Sequence, residues 1–133
     1  MDIKGHDTVK SKRKRLIDRL DAEIKKYVKR RDKGICQKCR RTVTGSNAHA
    51  SHVIPRSKGN ALRWDPQNLK LLCFHDHINW WHKNPVESGA WFKKEFPKRW
   101  AYLKAKKDNM VKFSISDLED KLKELRDNAK EDK

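Results

Sequence analysis

The sequence predicts a small α+β protein in which a β-hairpin and a helix form a cysteine- and histidine-rich centre surrounded by further α-helices. Three observations carry that prediction. Apolar residues recur at helical spacing on both flanks, two short apolar stretches ("HVIP" and "LKLLC") bracket a basic, turn-rich loop, and Cys36-x-x-Cys39 is answered far along the chain by Cys73. At 133 residues the chain has the size of one domain. With 35% apolar and 39% charged residues its core must be modest, the kind that benefits from a staple.

The polar, aperiodic residues 1–11 predict a disordered lead-in. From 12 to 34, Leu16, Ile17, Leu20, Ile24, Tyr27 and Val28 lie on one helical face, the other face is basic, and Gly34 is placed to end the helix. Residues 35–103 hold the centre itself: strands at about 51–54 and 69–72, then a helix from about Phe74 to His82. Two more helices follow. Asn84, Pro85 and Glu87 predict the start of one through a reciprocal cap, and Pro97 starts the next through Trp100, Tyr102 and Leu103. In the charged segment 104–133, Ser116 and Glu119 form a capping box ahead of a stripe of Leu118, Leu122 and Leu125. That stripe can pack on the N-terminal helix, form a helical hairpin or make a homodimer contact; the sequence does not choose. Trp80, Trp81, Trp91, Phe92, Phe96 and Trp100 fit the packing of a small helical core better than base stacking, and Trp64 fits a core lid.

Thirty-four Lys and Arg against eighteen Asp and Glu leave a net charge of +16, and the default partner of such a chain is a polyanion. Residues 104–133 carry nine basic and eight acidic residues, so the excess lies almost wholly before Lys104. No apolar run approaches the roughly 20 residues that span a bilayer, and the first residues lack the apolar stretch of a signal peptide, so a cytoplasmic protein without a membrane partner is expected. Three cysteines are an odd number for disulfides.

Metal binding accounts for them better. Structural zinc favours two thiolates on a Cys-x-x-Cys knuckle and two ligands from the first turn of a distant helix. Cys36 and Cys39 supply the knuckle and Cys73 the third ligand. Helix geometry brings Asp76 and His77 to the side of Cys73 as candidates for the fourth, while His75 points away. Alternatively the three thiols are partly buried bystanders.

The order Cys36-x-x-Cys39, "SHVIP" with His52, "PQNLKLLC" with Asn68 and Cys73, then His77, resembles the HNH, or ββα-metal, nuclease superfamily over about residues 31–103. Within it, "SHVIPRSKGNALRWDPQNL" most resembles phage recombination nucleases of the NinG (Rap) type, and endonuclease VII more distantly. The resemblance implies a treble-clef-like hairpin and helix clasping one catalytic divalent cation, Mg²⁺, Mn²⁺ or Zn²⁺. It places the general base on His52, the middle family position on Asn68, and a metal ligand on His77, with Asp76 where many members have a fourth zinc-binding cysteine. Where many members carry an Asp or His ligand before the base this chain has Ser51, a poor ligand. His82 lies at the helix end within possible reach of the ion or a phosphate, and His49, on the strand face opposite His52, reaches the metal only through a bulge. For His49, His75 and His82 the plain alternative is an ordinary surface or capping histidine. Arg56, Lys58 and Arg63 in the loop are candidates for gripping the DNA backbone.

The sequence therefore leads to a metal-dependent DNA endonuclease with a structural zinc. Two other readings remain at this level: a non-catalytic zinc-stabilised DNA-binding module, and a protein-binding adaptor built on the terminal helices, which leaves the +16 and the His52/Asn68/His77 set unexplained.

Overall fold

The computed structural model describes residues 11–131 apart from Gly59; the side chains of Lys58 and of residues 129–131 lie outside the described residues, as do the termini beyond. The elements run α1 (Lys12–Arg31), β1 (His49–His52), β2 (Leu69–Leu72), a short helix α2 (His75–Trp81), α3 (Pro85–Glu95), α4 (Pro97–Lys106) and α5 (Ile115–Glu131).

Helix α1 begins at Ser11, whose hydroxyl accepts from Lys14 N at 3.1 Å, so the last residue of the expected lead-in is a cap. The predicted stripe is buried at Leu16, Leu20, Ile24 and Val28. The helix stops at Arg31. Gly34, at φ +67°, returns its amide to Lys29 O at 3.0 Å and closes the end in the left-handed conformation glycine tolerates. Cys36 N then bonds Arg41 O and Arg40 N bonds Cys36 O, both at 2.9 Å, which folds the chain into a knuckle.

Strands β1 and β2 pair antiparallel with His49 opposite Leu72 and His52 opposite Leu69. The first strand thus starts two residues earlier than the sequence suggested and ends on His52. Val53 and Ile54 leave the ladder because Asn68 takes them: Val53 N bonds Asn68 O at 2.7 Å, and Ile54 N donates to the Asn68 side chain at 2.7 Å. A two-stranded hairpin is marginal on its own. Here α1 packs against both strands and α5 packs along α1, so one buried cluster extends from Leu16 to Leu125.

The expected caps shift. Asn84 precedes α3 and Pro85 opens it, but the Asn84 side chain makes no cap bond. The cap of helix α5 lies two residues earlier than its predicted box. Ser114 Oγ accepts from Asp117 N at 3.0 Å while Asp117 Oδ2 accepts from Ser114 N at 2.9 Å, so Ser114 and Asp117 do what was expected of Ser116 and Glu119. Leu118, Leu122 and Leu125 are buried within this chain, which removes them as a homodimer contact. The aromatic residues of α2, α3 and α4 pack in edge contacts, Trp80 on Trp91 and Trp91 on Phe96, and Trp64 is buried with its indole N–H donated to Asp21 at 2.7 Å. No helix among the described residues is long and apolar enough to cross a membrane.

Because Leu118 is fully buried where α5 joins the common core, Leu118→Ala is expected to destabilise the whole domain by about 2–4 kcal/mol in denaturant unfolding, with a single transition retained. Loss of α5 alone in a separate early transition would show that this helix is not part of the core.

Candidate metal centre and catalytic cleft

Two sets of metal-ligating side chains flank α2. The first is the cysteine set. Cys36, Cys39, Cys73 and Asp76 each present a ligand atom, and the four atoms lie within 4.8 Å of one another. Cys39 Sγ and Cys73 Sγ are 4.0 Å apart, and Cys36 Sγ is 3.2 Å from Asp76 Oδ2. The sulfur spacing is close to the edge of about 3.8 Å that a tetrahedron with metal–sulfur bonds of ~2.3 Å requires. The fourth position therefore falls on Asp76, not on His77. Burial raises the Cys36 thiol and pushes the Cys73 thiol up to about 12. Burial also opposes charge on Asp76, but hydrogen bonds from the Cys36, Cys73 and Cys39 thiols outweigh it and hold its carboxyl below the usual range. Three thiols around one carboxylate suit a cation.

The second set is a line of imidazoles. His77 Nδ1 lies 2.8 Å from His49 Nδ1, and His77 Nε2 lies 3.0 Å from His82 Nε2. His82 follows His77 by five residues, a separation of about 140° on an ideal α-helix. Helix α2 is wound instead in the wider form, with His82 N bonded to His77 O at 3.2 Å, and that winding brings the two rings together at a tilt, their centroids 4.7 Å apart. The sequence offered no clear signal of this winding. His49 meets His77 without a bulge: it opens β1 opposite Leu72, beside the entry to α2, where its ring also packs edge-on against Phe74 at 5.7 Å. No bulge of the kind expected is needed for this contact. His75 is exposed, near Asn79, as an ordinary surface histidine. Burial, then the neighbouring His82 and His49, pulls the pKa of His77 down to about 4, so its ring is neutral at physiological pH and able to act as a ligand.

His52, His77 and His82 line one cavity of about 470 Å³, with Arg56 at its edge and Val53, Ile54, Trp81 and Trp100 among its walls. His52 Nε2 is 3.0 Å from Arg63 O. A carbonyl only accepts, so Nε2 carries the hydrogen and the neutral ring has its lone pair on Nδ1. Burial lowers its pKa below the usual histidine value; the Arg63 carbonyl opposes this, and the charges of Arg56 and Lys70 add to it. The carbonyl is held from below. Arg63 donates twice to Asp21 of α1, at 3.2 and 2.9 Å, and its guanidinium stacks on Trp64.

These bonds bear on several of the expected site residues. The Arg63 guanidinium is engaged by Asp21, whereas Arg56 is exposed beside the cavity. The Lys58 side chain lies outside the described residues. Ser51 is buried, and its hydroxyl accepts from Lys70 Nζ at 2.9 Å, so it is no metal ligand. Lys70 is itself fully buried over the Trp81 ring, and burial, reinforced by Arg99, holds its pKa well below the ordinary lysine value. Asn68 is fully buried, bonding Ile54 N and O at 2.7 and 3.0 Å and Leu62 O at 3.1 Å. These bonds tie Ile54, two residues after His52, to Leu62 within the loop and to the start of β2.

An α+β ββα-metal fold with a possible metal site is the class this geometry defines. In agreement, the model of the HNH endonuclease family matches residues 36–80, from the first knuckle cysteine through most of α2. Searches of curated proteins and of solved structures each return no significant match. The family match associates the chain with nuclease or metal-dependent DNA functions.

If Cys36, Cys39, Cys73 and Asp76 bind a structural ion, purified protein should carry about one zinc per chain in this set, and chelation should melt the domain, since binding energy at such a site is folding energy. Elemental analysis and thermal scans of wild type and Cys36→Ser decide it. A metal-free preparation that melts with the variant would reduce the thiols to bystanders.

Proposed function

We propose that this chain is a metal-dependent HNH DNA endonuclease that hydrolyses phosphodiester bonds to leave 5′-phosphate and 3′-hydroxyl ends. The observation that carries the reading is the shared cavity of His52, His77 and His82, in which a neutral imidazole with a defined tautomer stands beside a pair of metal-ligating nitrogens. Nitrogens 3.0 Å apart match the roughly 2.9 Å between right-angled donors at metal–nitrogen bonds of ~2.0–2.1 Å, so His77 and His82 fit a divalent ion. Such an ion, Mg²⁺, Mn²⁺ or Zn²⁺, would stabilise charge on pentacovalent phosphorus and on the leaving 3′ oxygen. His52 Nδ1 takes a proton from water, the water oxygen bonds phosphorus, and the bond to the 3′ oxygen breaks. Arg56 contributes charge for a phosphate at the cavity edge.

The basic segment 12–34 and the centre 35–103 form the DNA-facing unit of this reading, and 104–133 completes its core. The likeness of residues 51–69 to NinG-type nucleases supports a phage role in recombination or DNA processing in a host cytoplasm. A second reading, a zinc-stabilised DNA-binding module without cleavage, is favoured by one feature: the position before His52 is Ser51, spent on Lys70 instead of a metal.

Incubation of supercoiled plasmid with Mg²⁺, Mn²⁺ or EDTA separates the two, since only the nuclease yields relaxed or linear product that requires the metal. His52→Ala should keep fold and DNA affinity but cut about 10²–10⁴-fold more slowly, and extra metal should rescue His77→Ala but not His52→Ala. Because the pKa of His52 is lowered, its base form persists as pH falls, and cleavage should decline only below pH 6.5. Wild-type cleavage by the His52 variant at every metal concentration would show that His52 is not the base, whereas wild-type protein that yields no metal-dependent product would move the chain to the module reading.

Phosphate contacts release counterions and make binding salt-steep. Arg56→Ala should reduce the slope of log affinity against log salt by about one contact, whereas Arg63→Ala should leave the slope unchanged and lower stability instead. Filter binding at several salt concentrations, with melting curves, reads both; equal slope losses would return Arg63 to the interface.

A further inference from the structure

The geometry points to His49 as a positioning residue that fixes which nitrogen of His77 is free to bind a metal ion, an inference that rests on the ligand role proposed for His77. His49 Nε2 lies 2.8 Å from Ser46 O. The carbonyl only accepts, so Nε2 carries the hydrogen and Nδ1 of the neutral ring keeps a lone pair. That lone pair faces His77 Nδ1 at 2.8 Å, a distance that requires one hydrogen between the two nitrogens, and it belongs to His77. His77 is thereby left with its lone pair on Nε2, the nitrogen beside His82 Nε2 and the one that a cation in the cavity would meet.

The chain of bonds starts from backbone. Ser46 sits in a 3₁₀ turn, Gly45–Asn47, with Ala48 N bonded to Gly45 O at 3.1 Å, and the Asn47 side chain accepts from Phe74 N at 2.8 Å at the entry to α2. The turn therefore travels with the helix that carries His77, and the Ser46 carbonyl sets the tautomer of two successive rings. Orientation of a ligating imidazole through its second nitrogen is a general device, and loss of such partners weakens metal binding by about 10–100-fold. His82 completes the picture. With His77 Nε2 bare, His82 Nε2–H donates to it in the metal-free protein, and His82 must move that hydrogen to Nδ1 to become the second ligand.

Long-range ¹H–¹⁵N spectra of the full chain, with its cysteine set loaded and no other metal, read these tautomers directly. Wild-type His77 should be a single Nδ1–H form. His49→Gln keeps a donor at the Nε2 position for Ser46 but offers no acceptor at the Nδ1 position, so His77 should shift toward Nε2–H. His49→Asn, whose Oδ1 occupies the Nδ1 position, should restore the wild-type form. Titration with Mn²⁺, followed by paramagnetic broadening at His77 and His82, should show about 10–100-fold weaker binding for His49→Gln and recovery in His49→Asn. Wild-type His77 found as Nε2–H, or a Gln variant with unchanged tautomer and unchanged Mn²⁺ affinity, would overturn the role of His49 alone. If Mn²⁺ leaves the wild-type His77 and His82 signals untouched, the proposed metal centre fails, and the role of His49 with it.

Discussion

The backbone between Leu62 and Leu71 runs from a half-buried loop into the fully buried strand β2, which has only one partner strand, so its buried polar groups must find side chains or be left unpaired at a cost of about 1–3 kcal/mol each. The rest of the structure depends on how they are satisfied. Arg31 donates to Pro66 O and Leu69 O, both at 2.6 Å; Arg99 reaches Gln67 O and Leu69 O at 3.0 and 2.7 Å; Asp32 accepts from Leu71 N at 2.9 Å. Asn68 covers Leu62 O and both polar groups of Ile54. Helices α1 and α4 are thus tied to the hairpin by directed bonds as well as by apolar contact, and a marginal two-stranded sheet becomes a rigid floor for the cleft.

That requirement also redistributes the charge. A net +16 suggests a surface coated with phosphate contacts, yet Arg31, Arg63, Arg99 and Lys70 are spent on carbonyls, a carboxylate, aromatic rings and a hydroxyl inside the molecule. Arg63 shows why the two uses are incompatible. Its guanidinium secures the turn whose carbonyl meets the His52 ring, so one residue that a DNA-binding reading would place outward is held beneath His52 instead.

Features with a periodic or spaced signal were legible in the sequence. The stripe of α1, the leucines of α5, the cysteine knuckle and the order of hairpin and helix all rest on local repetition or short spacing, and Asp76 was one of the two residues that helix geometry offered beside Cys73. What escaped depends on contacts between distant segments. Nothing local distinguishes Arg63 from Arg56 until Asp21 is brought beside one of them, and nothing marks Ser51 as the partner of a buried lysine until the register sets it opposite Lys70. The capping box slipped by two residues because Ser114 and Ser116 are each followed by an acid at the same spacing, and packing of Leu118 decides between them.

The histidines were hardest to place because the argument from spacing assumed ordinary helical winding. Asp76 and His77 are consecutive, so they face clearly different directions, about 100° apart in ordinary α-helical winding and somewhat less in the wider form. One can close the thiol set while the other enters the line of imidazoles, and this separation holds whatever the winding. The residue five positions on is different: only the wider turn of α2 returns His82 to the same side as His77. Such winding is rare and is frequent at functional sites. Here both ends of α2 are constrained, the first turn by Cys73 and Asp76 and the last by Trp81 packed on Phe92 and against the Lys70 ammonium. Seven residues must span between those anchors while turning two imidazoles toward one cavity, and wide winding is the conformation that meets both conditions.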